Sequence, residues 1–201
     1  MSELEEIFSG NDIFYCEHIS RFYEYSEKEN IFFINKKSGK GLEIYLKESA
    51  INDENINENR TYIVRDKVTR EIVGYFSLKM GIISTNERKT VSSKVSFDTI
   101  PAIELANFAM NDNYKQSHEG ERIAYKPGKI IFVNFILPIA KEISKYIGAK
   151  ALFVFALPEK KLLSYYKSLN FSRLSKESEN KLHNRLRPNY DKGCIFMWQS
   201  L

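Results

Sequence analysis

The sequence predicts an α+β fold in which a central mixed, mostly antiparallel β-sheet is flanked by helices. Three patterns support this class: a β-hairpin before the middle of the chain, a buried helix between two later strands, and a closing apolar strand near the C-terminus. The chain has 201 residues, 43% of them hydrophobic, so it can bury a sizeable core. We therefore predict a single globular domain over residues 1–201.

The first part of the chain is rich in aromatic residues and leads into a predicted helix. Leu42, Tyr45 and Leu46 share one face of a helix from Gly41 to Ala50. The Asn-rich stretch Asn52–Asn59 is predicted to be a polar loop.

Strand signals follow this stretch. The runs Thr61–Arg65 and Ile72–Met80 flank a charged turn, which predicts a β-hairpin. A third strand is predicted from Ile100 to Met110. The stretch from there to Pro127, rich in Lys, His, Glu and Gly, is predicted to be a loop.

A long helix is predicted from Lys129 to Ile147, and its first half is apolar on all sides, so we expect it to be buried. Pro138 lies inside this helix. Because proline has no N–H, the carbonyl of Asn134 lacks its usual partner, which predicts a kink or a bulge. Gly148 ends the helix, and the apolar run Ala151–Leu157 predicts a strand that is covered on both faces and parallel to the third strand.

The C-terminal part is predicted to hold two helices and two extended segments. A short helix carries Tyr165 and Tyr166, and an extended run covers Phe171–Leu174. A basic helix is predicted near Lys176–Leu186, and a closing strand over Cys194–Trp198.

The charge balance is mildly basic, with a net charge of +4. Between Arg173 and Lys192 there are six Lys or Arg residues against three acidic residues. We interpret this segment as an ordinary solvated helix face, with contact to phosphates as the alternative.

Neither a disulfide framework nor a metal site is predicted. Cys16 and Cys194 lie at opposite ends of the chain, the histidines are scattered, and we expect both thiols to be buried. The acidic start of the chain, and the lack of a long apolar run, argue against a membrane span or secretion and predict a cytoplasmic protein.

Four motifs occur in this order of elements: "GYFSL" at Gly74, "PAIELANFAM" at Pro101, "IGAKALFVFAL" at Ile147 and "YYKSLNF" at Tyr165. Together with the order of the elements, they resemble the GNAT acetyltransferases. The resemblance covers roughly residues 38–171 and the last strand, with a basic helical insertion at about 175–187, and is nearest the branch that contains toxin–antitoxin acetyltransferases. It implies a parallel strand pair at the cofactor site and acetyl-CoA as the cofactor.

The resemblance implies chemical roles for two residues. Tyr166 takes the position of a tyrosine that points its hydroxyl at the coenzyme A sulfur, where a phenol of pKa ~10 can protonate a departing thiolate. Glu104 matches a general-base glutamate, which would take a proton from the acceptor ammonium. Each has a structural alternative. Tyr166 shares a helical stripe with Leu162 and Leu169 and would pack in the core, and Glu104 would lie at the rim of the sheet.

The resemblance also implies where the cofactor binds. Backbone groups of Phe108, Ala109 and Met110 would bind the pantetheine arm. The pyrophosphate would lie at the start of the long helix, where family members carry Arg/Gln-x-x-Gly-x-Gly/Ala. Here only Gly128 remains of the two small residues.

Two alignments of that motif are open. If Gly128 is the first glycine, Tyr125 replaces Arg/Gln and Ile130 replaces the last small residue. If Gly128 is the last, Lys126 replaces the first glycine and Ile123 replaces Arg/Gln.

The sequence departs from the family pattern at two further positions, one in the pyrophosphate loop and one after the tyrosine helix. Pro127 removes one N–H from the phosphate cradle, and direct charge contacts from Arg122, Lys126 and Lys129 would compensate. Asn170 replaces the usual glycine after the tyrosine helix, which is tolerable because Asn adopts left-handed backbone angles more readily than most residues.

The function predicted from this resemblance is acetyl transfer from acetyl-CoA to a primary amine by direct attack in a ternary complex, since neither cysteine lies near the motifs. The acceptor would be an amine-bearing small molecule, a protein or an aminoacyl-tRNA, with no membrane involved and a homodimer left open. Two alternatives remain at this point: a GNAT-fold binding protein that has lost its cofactor cradle and works through a partner, and a toxin that acetylates aminoacyl-tRNA and uses the basic segment on phosphates.

Overall fold

The computed structural model describes residues 3–20, 32–84, 99–118, 126–186 and 193–201. Its strands form a seven-stranded sheet in the order β1-β2-β3-β4-β5-β7-β6. The pair β4 and β5 is parallel, and helices accompany the sheet, so the predicted α+β class is confirmed. The strands are β1 Phe14–His18, β2 Arg60–Asp66, β3 Ile72–Ser84, β4 Thr99–Met110, β5 Ala151–Ala156, β6 Ser172–Arg173 and β7 Ile195–Ser200.

The helices lie before, between and after these strands along the chain. The α-helices are α1 Glu3–Ser9, α2 Lys40–Ile44, α3 Ala50–Asn55, α4 Asp112–Ser117, α5 Pro127–Ile131, α6 Leu137–Ile147, α7 Lys160–Ser168 and α8 Lys176–Leu186. A short 3-10 turn at Lys37–Gly39 precedes α2, and π-helical segments at Tyr45–Ser49 and Phe132–Ile136 continue α2 into α3 and α5 into α6. None of the described helices combines the length and the apolar character that a membrane crossing requires.

The chain divides into two compact units, and the first comprises Met1–Lys79 and Ala106–Glu142. In this unit β2 pairs antiparallel with β3, as the predicted hairpin requires, and also with β1. Leu42, Tyr45 and Leu46 pack together on a buried cluster that contains Tyr75 and Ala109, so the predicted apolar face of this helix is confirmed.

The second unit comprises Met80–Leu105 and Ile143–Leu201. Here β5 pairs parallel with β4 and antiparallel with β7, and every residue of β5 is buried, as its uniformly apolar sequence predicts. Phe153, Phe155 and Phe196 form an aromatic core in which the ring centroids lie 5.3–5.8 Å apart. Cys194 is buried within this cluster, and Cys16 is buried in the first unit.

The proline in the long helix has the predicted effect. The π-helical segment Phe132–Ile136 contains Asn134, whose carbonyl cannot bond to Pro138, so the expected bulge is present. Most apolar side chains in the first half of this helix are buried, but Val133 is 49% exposed, so the prediction that this half is buried is wrong at that residue.

Several local predictions are wrong. The predicted loop Asn52–Asn59 begins as α3, which ends at Asn55 and is followed by Asn57 with φ 62°. The main-chain oxygen of Asp53 accepts bonds from the amides of Glu58 and Asn59, so local main-chain bonds close the end of this helix within the Asn-rich sequence. Likewise α4 occupies part of the predicted loop before Pro127, and α1 and β1 occur where no element was predicted.

Candidate active site

Strand β4 carries the predicted base. Glu104 is half-buried and lies level with Phe153 in the parallel pairing with β5. Leu105 and Ala109 are buried, whereas Glu104, Ala106 and Phe108 are only partly buried, as the alternation of a strand predicts, but Asn107, on the face of Leu105, is also only partly buried.

The end of β4 is fixed by Asn111, a residue that the sequence analysis missed. This side chain is 1% exposed, and its amide nitrogen donates to the carbonyl of Ile72 at 2.8 Å. Its amide oxygen accepts from the backbone N–H of Phe33 and that of Asn113, each at 3.1 Å. The second of these bonds caps α4. An Asn followed by Asp at the end of a strand is an N-cap signal, so the local sequence did contain a clue.

The start of α5 is the predicted phosphate site. Lys126 is the N-cap residue and Pro127 is the first helical residue. The amides of Lys129 and Ile130 both donate to the carbonyl of Lys126, at 2.9 and 3.1 Å. The side chains of Lys126 and Lys129 are exposed, so two cations flank Gly128 at this helix end. Arg122, also predicted to contact the cofactor, lies outside the described residues.

The tyrosine helix ends in a Schellman motif. The amide of Phe171 donates to the carbonyl of Tyr166 at 3.1 Å, and the amide of Asn170 to the carbonyl of Lys167, also at 3.1 Å. Asn170 has φ 68°, so the predicted left-handed conformation is confirmed. The rings of Tyr166 and Phe171 pack edge to face with centroids 5.3 Å apart, which is the apolar contact that accompanies this motif.

The two tyrosines differ in their surroundings. Tyr166 is buried, with 4% of its surface exposed, whereas Tyr165 is half-buried. Burial raises the pKa of the Tyr165 hydroxyl. The ring of Tyr166 therefore has the packing role that was the structural alternative, and its hydroxyl role stays a prediction.

The basic C-terminal segment contains a structural ion pair. Arg173 donates to the carboxylate of Glu179 at 2.8 Å, and Glu179, 5% exposed, also accepts from the amide of Phe196 at 3.0 Å. Arg173 thus neutralises a buried carboxylate that ties α8 to β7, which favours the structural interpretation of this residue.

The structure groups the predicted residues by unit. Phe108, Ala109 and Met110 belong to the first unit, as does the start of α5. Glu104 and Tyr166 belong to the second. Within the first unit, the end of β4 and α5 meet at Gly74: a Cβ built on this glycine would lie 2.7 Å from the carbonyl oxygen of Ala109 and 3.4 Å from Cδ1 of Ile131.

No family model matches the chain. Its structure is similar to that of a tyrosine-to-phenylalanine mutant of KacT, with 18% identity and a TM-score of 0.64 over 94% of this chain and 95% of that one. It is also similar to AtaTR bound with AcCoA, with 19% identity and a TM-score of 0.60 over 94% of each chain. A third similar structure is AtaT complexed with acetyl-methionyl-tRNAfMet, with 19% identity and a TM-score of 0.59 over 91% of this chain and 93% of that one.

These similarities define the class of fold. The chain has the GNAT fold of these neighbours. The fold implied by the sequence motifs is confirmed.

Proposed function

We propose that the chain is an N-acetyltransferase that transfers the acetyl group of acetyl-CoA to a primary amine by direct attack in a ternary complex. The observation that carries this proposal is the GNAT fold with a tyrosine in the last turn of α7. Structures with this fold include one bound with AcCoA. The cytoplasm is the location that we propose for this reaction.

The residues of the first unit fit the phosphate end of acetyl-CoA. The start of α5 presents the partial positive charge of a helix N-terminus, with the Gly128 amide as the proposed donor and the exposed Lys126 and Lys129 beside it. We include Ile130 and Arg122 in this cofactor site, as the sequence motif suggests. In this proposal the charged side chains of Lys126 and Lys129 replace some of the phosphate contacts that glycine amides make in GNAT acetyltransferases.

The remaining roles concern the thioester and the acceptor. Acetyl-CoA supplies an activated acetyl group and a thiol leaving group. Backbone groups of Phe108, Ala109 and Met110 are proposed to hold the pantetheine arm and polarise the thioester oxygen. Glu104 is proposed to take a proton from the acceptor ammonium, so that the neutral amine attacks the thioester carbonyl and the carbon–sulfur bond breaks. Tyr166 is proposed to give its hydroxyl proton to the leaving sulfur and to regain a proton from the nitrogen as the amide forms.

For the acceptor, we propose the α-amino group of an aminoacyl-tRNA. The similar structure of AtaT with acetyl-methionyl-tRNAfMet supports this choice. The competing function is a GNAT-fold binding protein that has lost its cofactor cradle. Two features favour it: Pro127 has no N–H to offer a phosphate, and the amides of Lys129 and Ile130 already donate to the carbonyl of Lys126.

Calorimetric titration with acetyl-CoA separates enzyme from binding protein. We expect binding, and we expect Lys126→Ala combined with Lys129→Ala to weaken it by about 10-fold at low salt and less at high salt, because exposed charges are screened. Lys161→Ala, which removes an exposed lysine on α7, is the control. No binding by the wild type at millimolar ligand would favour the binding protein. Acetylation of small amines but of no aminoacyl-tRNA would retain the enzyme and reject the acceptor.

A further inference from the structure

We propose that Gly74 and Asn111 are positioning residues that together fix the path of the last residues of β4, and so set the affinity for acetyl-CoA. This inference rests on the proposed function, because the backbone groups that they fix are those of Ala109 and Met110. Neither residue was given a role by the sequence motifs.

Gly74 acts through the space that it leaves. A Cβ on this residue would lie 2.7 Å from the carbonyl oxygen of Ala109, 3.2 Å from Sδ of Met110 and 3.4 Å from Cδ1 of Ile131. The first contact is with backbone, which cannot move aside as the end of a flexible side chain can. Among the described residues the glycines with positive φ are Gly10 and Gly148, so Gly74 is required for close approach rather than for its backbone angle.

Asn111 acts through hydrogen bonds in two directions. Its backbone N–H donates to the carbonyl of Val73 at 2.9 Å, and its side-chain amide donates to the carbonyl of Ile72 at 2.8 Å. Both bonds tie the residue that follows β4 to the start of β3. Its amide oxygen accepts from Phe33, and the carbonyl of Phe33 accepts from the amide of Asp112 at 2.8 Å. The end of β4 is therefore held from both sides by buried polar contacts.

The two residues act on the same short segment, and both do so against β3. Gly74 sets how closely Ala109 and Met110 approach β3 and α5. The hydrogen bonds of Asn111 fix the position of the next residue along the chain. A displaced backbone group costs affinity because hydrogen bonds to a ligand weaken steeply with distance and angle. Both residues are consequently placed to control binding without touching the ligand.

Gly74→Ala is the first test, and Gly81→Ala on the same strand is its matched control. A Cβ at Gly81 would lie 2.7 Å from Cε1 and Cζ of Phe153, which is a core ring of the second unit rather than the end of β4. We expect both variants to lose stability in urea, but only Gly74→Ala to raise the Kd for acetyl-CoA, by about 10-fold or more. Gly41→Ala, where a Cβ meets nothing within 4 Å, should leave both quantities unchanged or slightly improved.

Hydrogen exchange in the ligand-free protein supplies a readout that does not depend on acetyl-CoA. Gly74→Ala should speed exchange of the Asn111 backbone amide, which donates to Val73, whereas Gly81→Ala should not. Asn111→Asp is the second variant: it keeps the oxygen that accepts from Phe33 and Asn113 but loses the donor to Ile72. We expect this variant to raise the Kd as well.

The outcomes separate the two proposals. If the wild type does not bind acetyl-CoA, the proposed function fails, and amide exchange alone decides whether the two residues fix the strand. If the wild type binds and Gly74→Ala binds equally well, the inference is overturned. It is also overturned if Gly81→Ala weakens binding as much as Gly74→Ala, since affinity would then follow stability. If Gly74→Ala does not fold, the Kd of Asn111→Asp decides by the same criterion.

Discussion

The end of β4 and the end of α7 both carry proposed site residues, but different parts of the chain hold them in place. At the end of β4, the proposed functional atoms are backbone groups of Ala109 and Met110, and the contacts that fix them come from a glycine and a buried amide. At the end of α7, the proposed functional atom is a side-chain hydroxyl, and the contacts that fix its ring belong to the same helix end.

This difference determines what substitutions do at each place. Any side chain at positions 108–110 leaves the backbone groups present, so the identity of these residues has little to do with the proposed chemistry. At the end of α7, by contrast, the proposed proton transfer requires the hydroxyl of Tyr166 itself. Substitutions that act at the end of β4 should therefore change affinity, and those at side-chain groups should change the rate of transfer.

Among the substitutions at side-chain groups, Glu104→Gln should have the largest effect on the rate of transfer. Glu104→Gln should lower turnover by about 10²-fold or more while acetyl-CoA affinity stays unchanged, because the amide cannot accept a proton. The loss should shrink as the pH rises toward the pKa of the acceptor amine, where the free amine no longer needs a base. Glu58→Gln, which alters an exposed carboxylate 3.8 Å from Lys79, is the control. A loss independent of pH would show that Glu104 orients the acceptor instead.

Tyr166→Phe should slow single-turnover transfer by about 10-fold to 10³-fold, the range for loss of one general acid. The ring remains, so its contact with Phe171 and the helix end persist. Tyr165→Phe is the matched control on the neighbouring ring, 5.5 Å away between centroids, and should change the rate little. Equal rates for Tyr166→Phe and the wild type would leave the tyrosine with its packing role alone.

The sequence was informative wherever one residue has a strong local effect. Pro138 predicted a break in the long helix, and the π-helical segment Phe132–Ile136 lies where the missing N–H requires it. The other π-helical segment, Tyr45–Ser49, has no proline or glycine within it. Bonds from distant residues accompany it, since Tyr75 donates to the carbonyl of Leu42 at 2.6 Å and Asn59 to the Tyr45 hydroxyl at 3.1 Å. Such contacts cannot be derived from local sequence.

The same reasoning applies to the candidate site. The motif around Tyr166 could be recognised because its function depends on residue identity and on a fixed helical spacing. Gly74 lay inside a quoted motif, yet the space it leaves depends on Ala109, which is 35 positions later in the chain. Asn111 meets Phe33 through a contact that spans 78 positions. Long-range contacts of this kind are set by the fold. The sequence therefore predicted that the end of β4 belongs to the site, but it did not predict that Gly74 and Asn111 fix its position.

The side chain of Glu43 also fixes a backbone segment, but it lies in no proposed site. Its carboxylate accepts from the amide of Ile34 at 2.9 Å and from Lys40 at 2.8 Å, and the bond from Lys40 is the main reason that the pKa of Glu43 falls to about 2. Glu43→Gln should cost about 1–2 kcal/mol of unfolding free energy at neutral pH with no change in the Kd for acetyl-CoA.

The pH dependence of this loss follows from the direction of the pKa shift. The folded protein holds the pKa of Glu43 below the ordinary value of 4.5, so the charged carboxylate contributes its full stability above that value and loses it as the pH falls toward 2. Urea unfolding should therefore show a gap between wild type and Glu43→Gln that closes over this range. A gap that persists at pH 2 would mean that the carboxylate charge is not what stabilises this contact.

Asn170→Gly should have the smallest effect and acts on the end of α7 itself. Asn170 has φ 68°, a conformation that glycine adopts without strain, so this variant should gain up to about 1 kcal/mol of stability, reduced by the greater freedom of glycine in the unfolded chain. Asn57→Gly is the matched comparison, because Asn57 has φ 62° but also accepts a bond from Arg60, whose loss should cancel the gain. Thermal unfolding measures both.

The Schellman bonds use backbone atoms alone, so Asn170→Gly should leave the rate of acetyl transfer unchanged. A slower rate in this variant would show that the Asn170 side chain helps to orient Tyr166, and the end of α7 would then resemble the end of β4 in depending on residues outside the reacting group.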